Sequence, residues 1–175
     1  GAVRPNTIAS QTFYGAAFPD RPYGSDDSGT RDSVAALTRD DILEAHLNAL
    51  TRQDVYVGAV GDISAEDLGL LLDDILGDLP ATGPHGPARV DVALEGGVSV
   101  VDFATPQSVA LFGHKGITRD DPRYFAAYVV NHIFGDGMGS RLMQEVREKR
   151  GLTYGIGTYL VPSDLSELVL GSFAS

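Results

Sequence analysis

Apolar positions recur at helical spacing in the first half of the chain, where Ile42, Leu43, Leu47 and Leu50 follow the tetrad Thr38-Arg-Asp-Asp41. The tetrad is a start signal, because a Thr hydroxyl can accept a backbone N–H and acidic side chains suit the positive end of the helix dipole. A second helix is predicted from Ala65 to about Leu76, capped by Ser64, with Asp67 completing an imperfect capping box. Between them the β-branched run Val55 to Val60 reads as a strand turned by Gly61-Asp62. Further on, Val98 to Phe103 and Ser108 to Gly113 are strand-like. Tyr124, Phe125, Tyr128, Val129, His132 and Ile133 then give a helix its apolar face, with Asp121 as cap and Pro122 at the first helical position. Another helix is predicted from Ser140 to Arg150, in which Glu145 and Lys149 form an i,i+4 pair, Lys149 and Arg150 complement the C-terminal dipole, and Gly151 is the stop. Tyr154 to Val161 and Leu165 to Phe173 pattern as a hairpin turning through Pro162-Ser-Asp164.

Two tracts interrupt this periodicity. Residues 1 to 33, rich in Gly, Pro, Asp and Ser around the aromatics Phe13, Tyr14, Phe18 and Tyr23, read as loop chemistry. Residues 77 to 97 carry Leu79-Pro80, Gly83-Pro84, Gly86-Pro87 and Gly96-Gly97, which reads as a linker and a domain boundary. The Thr-Arg-Asp-Asp tetrad recurs at Thr118, but the residues after it differ, so it is shared capping chemistry.

Composition narrows the function classes. Acidic residues outnumber basic ones 24 to 13, for a formal charge of -11, which argues against a nucleic-acid backbone as partner, since phosphates require clustered Lys and Arg. The absence of cysteine removes disulfides, thiolate metal sites and thiol nucleophiles and leaves the redox compartment open. No run reaches the roughly 18 apolar residues of a membrane span. The chain opens on Gly1 rather than Met and stops after a hairpin with no closing helix. The expectation is a piece of a longer polypeptide with an unfinished second domain.

Candidate chemistry is sparse. Zinc hydrolysis needs two imidazoles on one helix face with a carboxylate nearby, whereas His46, His85, His114 and His132 have no shared metal spacing. Gly135, Gly137 and Gly139 superficially match a phosphate cradle, but they follow a helix instead of a strand and no Gly-Lys-Ser/Thr is present. Arg147 and Tyr154 remain, placed on a helix's last turn and the following strand. A guanidinium and a phenol donate hydrogen bonds without needing to ionise, which suits peptide carbonyls or a developing oxyanion. From the residues alone a plain alternative stays open: an exposed Arg pairing with Glu148, and a Tyr packed on a strand.

The whole segment Gly139-Ser-Arg-Leu-Met-Gln-Glu-Val-Arg-Glu-Lys-Arg-Gly-Leu-Thr-Tyr-Gly155 resembles the second-domain signature of the pitrilysin/insulinase superfamily of zinc peptidases, which includes the mitochondrial processing peptidases. Arg21-Pro-Tyr-Gly24, Leu37-Thr-Arg-Asp-Asp41 and Val60-Gly-Asp62 look like the closing part of that family's first domain, in the expected order. The resemblance implies an α+β fold of the LuxS and processing-peptidase type: mostly antiparallel sheets with helices packed on one face, in two incomplete domains. Residues 1–80 would be the end of the first domain, 81–97 the linker and 98–175 the start of the second.

It further implies that Arg147 orients a peptide substrate through its backbone carbonyls and that Tyr154 is a catalytic and substrate-binding donor to the tetrahedral oxyanion. No metal ligand falls within the chain. Zinc is expected upstream in a parent protein or on a zinc-bearing partner subunit, with a homodimer as the other assembly. The split arrangement is favoured, and a non-catalytic scaffold subunit is the competing reading. The same resemblance leaves the compartment open, since family members occur in periplasm, mitochondria and plastids, with a periplasmic location favoured over a cytoplasmic one.

Overall fold

The computed structural model describes residues 4–53, 55–84 and 86–175. The histidine at 85 lies outside the described residues. Two compact units emerge, Gly1–Gly29 with Ala88–Ser175, and Thr30–Pro87.

The larger unit is built on a three-stranded antiparallel sheet of order β1-β3-β2, formed by β1 (Val109–Lys115), β2 (Ile156–Pro162) and β3 (Glu167–Ala174). The central β3 pairs Leu170 with Gly113 on one side and with Tyr159 on the other. The β2–β3 hairpin turns at the Pro-Ser-Asp segment, as its turn chemistry predicts. Leu168 and Leu170 alternate onto one face of β3 and pack with buried Ala17 and Phe18. The α+β class and the antiparallel sheet agree with the sequence reading.

Those last two residues come from the tract expected to be loop. Pro5–Ala17 is a 13-residue helix, α1, with proline in its first turn. Its Gly, Ser, Thr and Asn content lowers intrinsic propensity, and burial of the aromatic end overrides it. Phe13, Tyr14 and Tyr23 pack against the same core. Residues 1–29 thus share a unit with the C-terminal half instead of with residues 30–80. The expected linker contributes to that unit too: Val90, Val92 and Leu94 lie on the core, tied by Val90 N–H to the Leu165 carbonyl at 2.8 Å and Ala93 N–H to the Ala17 carbonyl at 2.9 Å.

Helix α5 (Tyr124–Phe134) begins two residues later than the sequence predicts. Asp121 does not cap it as an N-cap residue. Its carboxylate instead closes a turn, accepting from the Arg123 backbone N–H at 2.8 Å and pairing with the Arg123 guanidinium at 2.9 Å. These bonds to Arg123 pull the Asp121 carboxyl down to about 2. The folded value is depressed, so the interaction is complete above the ordinary 3.8 and fades as pH falls through about 2. Carbon-13 titration of Asp121 should show that low midpoint, and a midpoint near the ordinary value would refute the turn.

At its other end α5 meets the outer edge of β2. Asn131 Nδ2 donates to the Thr158 carbonyl at 3.1 Å, Thr158 Oγ1 donates to Asn131 Oδ1 at 2.8 Å, and Thr158 N–H donates to the Gly135 carbonyl at 3.0 Å. A side chain at Gly135 would sit 2.1 Å from Thr158 Oγ1, so glycine is what permits this approach. The contact satisfies backbone groups that an edge strand otherwise leaves open.

In the second unit, α2 (Arg31–Ala36), α3 (Arg39–Ala49) and α4 (Ala65–Leu76) are present. Thr38 and Ser64 cap α3 and α4 as read from the sequence, Thr38 within a reciprocal box with Asp41. The predicted strands Val55 to Val60, here, and Val98 to Phe103, in the larger unit, are irregular and largely exposed among the described residues. A β-branched run supplies strand propensity but not the ladder partner that a strand requires.

Candidate functional site

The site segment starts where α5 ends. Gly137, at φ 90°, turns the chain, and buried Ser140 opens the next helix, its hydroxyl accepting from Met143 N–H at 3.4 Å. The predicted regular helix is mostly a π-helix, Met143–Glu148, with Lys149 N–H donating to the Gln144 carbonyl at 3.0 Å. Periodicity alone does not distinguish this from an α-helix. Gly151, at φ 62°, ends it as expected, its N–H donating to the Arg147 carbonyl at 2.9 Å.

Arg147 stands on this element with a side chain 34% exposed, and its guanidinium lies 3.3 Å from Glu148. That pair is the plain surface reading of the residue. Tyr154 falls on a bend two residues before β2, not on the strand itself. It is 89% exposed, and among the described residues its hydroxyl has no hydrogen-bond partner. No hydrogen bond joins Arg147 to Tyr154.

The exposure of Tyr154 is imposed by its neighbours. Thr153 is buried, its Oγ1 donates to the Ala174 carbonyl at 2.5 Å, and it accepts from Gly155 N–H at 3.2 Å. The backbone is therefore pinned on both sides of a phenol that points to solvent. Sequence reading missed Thr153; a Thr two residues before a glycine is the one local signal, as Ser and Thr hydroxyls bond nearby backbone in turns.

Glu145 pairs with Lys149 as predicted and also with Arg150. His46 lies in the last turn of α3, His114 Nδ1 is 2.6 Å from the Lys115 carbonyl, and His132 Nδ1 is 3.1 Å from Asp136. Among the described residues no three His, Cys, Asp or Glu side chains are grouped to hold a metal.

Comparison with known proteins gives this geometry a context. A zinc protease of Streptomyces coelicolor, itself uncharacterized, is 33% identical over 168 residues, covering 89% of this chain and 35% of the relative. One from Rickettsia bellii is 28% identical, covering 90% of this chain and 38% of that relative. Among solved structures, the peptidase M16 inactive domain of Pseudomonas fluorescens superposes with a TM-score of 0.84 at 28% identity, over 98% of this chain and 42% of that one. A protease of Helicobacter pylori shares the fold at a TM-score of 0.76 and 20% identity, over 98% of this chain and 42% of that one. The chain thus spans between about a third and two fifths of the length of these relatives. With residues 36–171 matching the model described as the peptidase M16 inactive domain, the chain belongs to the peptidase M16 family.

Proposed function

We propose that the chain supplies the metal-free half of a peptide-hydrolysing site, with Arg147 orienting the substrate through its backbone carbonyls and Tyr154 donating to the oxyanion that forms on the attacked carbon. The observation that carries this reading is Tyr154 itself, a phenol 89% exposed and free to donate, on a backbone anchored at Thr153 and Gly155. A phenol held at the surface on anchored flanks presents a hydroxyl donor to whatever covers it in the working state. The family supports the identity of the covering group as a peptide, since the curated relatives carry the name zinc protease.

Zinc belongs in this reading to the parent protein or to a partner subunit, where it would polarise the scissile carbonyl. In this reading the donors of the helix end and the bend lie together on the larger unit. Replacing Arg147 with Ala, in the parent protein assembled for peptide cleavage, is expected to raise KM about tenfold or more, as loss of a charge-assisted contact does. Cleavage kinetics on an extended fluorogenic peptide test this, and an unchanged KM and kcat would remove Arg147 from the site.

The description of the matched domain as inactive favours a second reading, in which the chain contributes surface and no chemistry. The same kinetics separate the two, because a scaffold has no use for carbonyl-directed donors.

A further inference from the structure

The helix end that carries Arg147 holds three cations, Arg147, Lys149 and Arg150, and they are not equivalent. Glu145 takes two of them. Lys149 Nζ donates to its Oε1 at 2.5 Å, while Arg150 Nη1 donates to its Oε2 at 3.0 Å and to its backbone carbonyl at 2.6 Å. The π-helix makes this double grip possible. Bonding from i to i+5 widens the turn by about one residue relative to an α-helix, so one side chain lies beneath the positions four and five ahead of it together.

Arg147, two positions from Glu145, projects about half a turn away from that cluster, where Glu148 is its only ion-pair partner among the described residues. Ion pairs of this exposure add little to folding stability. The consequence of the clamp lies in which cation it leaves over.

We propose that Glu145 is a positioning residue that sorts the cations of this helix end, holding Lys149 and Arg150 so that Arg147 is the guanidinium presented to a peptide backbone. The inference rests on the reading of Arg147 given above. Lys149 and Arg150 in turn hold the Glu145 carboxyl below its ordinary range, so it stays ionised throughout neutral pH. Released, the two cations would compete with Arg147 for Glu148 and for substrate carbonyls, and the widened turn would lose the grip that favours it.

The test compares Glu145→Gln with the triple variant Glu145→Gln/Lys149→Gln/Arg150→Gln and with Arg147→Ala, in the parent protein assembled for cleavage, on one extended fluorogenic peptide. Sorting predicts that Glu145→Gln raises KM about tenfold with kcat changed far less, the loss expected for one displaced charge-assisted contact. It also predicts that the triple variant recovers most of that loss, because the competing cations are gone. If the triple variant is as impaired as the single one, Glu145 is a scaffold residue and the proposal falls. If Arg147→Ala impairs cleavage and Glu145→Gln does not, the proposal falls while the peptide reading stands.

A second measurement is independent of cleavage. Guanidinium hydrogen exchange by NMR should be slow for Arg150, fast for Arg147, and fast for both in Glu145→Gln. Equal exchange of the two in the unsubstituted protein overturns the sorting whatever the kinetics show, and an inert Arg147→Ala would sink the peptide reading and with it the role given to the sorting, even where the exchange data show the clamp.

Discussion

Replacing Tyr154 with Phe is expected to lower kcat for peptide cleavage by about a hundredfold or more in the zinc-competent parent assembly, the usual cost of one oxyanion donor. The substitution removes a single oxygen that has no hydrogen-bond partner among the described residues and lies on a residue 89% exposed. Thermal unfolding and the circular dichroism spectrum should therefore be unchanged. KM should move little as well, because the oxyanion exists only along the reaction path, and an interaction made only there appears in kcat. This separates Tyr154 from Arg147, whose loss acts on substrate placement. Turnover within about twofold of the unsubstituted enzyme would take Tyr154 out of the chemistry, since an oxyanion donor cannot be so cheaply removed.

The anchoring that makes such a donor useful is not local to it. Thr153 bonds the Ala174 carbonyl at the end of β3, so the position of the phenol is referred to the central strand of the sheet. A sequence cannot display that link, because the partners are 21 residues apart and neither belongs to a recognisable motif. The Arg and Tyr themselves were legible, for the opposite reason: they lie seven residues apart in one dense segment punctuated by Gly151 and Gly155.

The same contrast runs through the fold. Caps at Thr38 and Ser64, the stop at Gly151 and the turn before β3 are decided within four residues and were readable. Helix α1 was not, because its polar, glycine-containing sequence forms a helix only by laying Ala17 and Phe18 on Leu168 and Leu170, about 150 residues away. The strands expected at Val55 and Val98 failed in the other direction. Their propensity was sound, but a strand is completed by a neighbour, and among the described residues neither run has one. The π-helical turn at Met143–Glu148 escaped for a third reason, since its apolar spacing is shared with an ordinary helix and only the i to i+5 bonding distinguishes it.

Leu170→Ala should be the most damaging substitution in the larger unit, destabilising it by about 2–5 kcal/mol. Leu170 is 2% exposed, enclosed with Ala17, Phe18 and Leu168 in one buried cluster. On β3 it pairs with Gly113 of β1, and its Cδ2 lies 3.0 Å from where a Gly113 side chain would begin. The leucine thus fills space that its partner leaves empty, and truncating it opens a cavity that the glycine cannot close. Against a typical total of about 5–15 kcal/mol, that loss is a large fraction of what holds a domain together. Amide hydrogen exchange in the parent protein is the appropriate measurement, read on the β1, β2 and β3 amides, which should all lose protection together because β3 pairs with both neighbours. The effect should reach the site as well: with β3 loosened, the Ala174 carbonyl no longer fixes Thr153, and kcat should fall with no change made to Arg147 or Tyr154. A loss below about 1 kcal/mol would mean that the core closes around the gap; an unchanged kcat in a variant whose sheet amides have lost protection would mean that the reference point for Tyr154 is not the sheet.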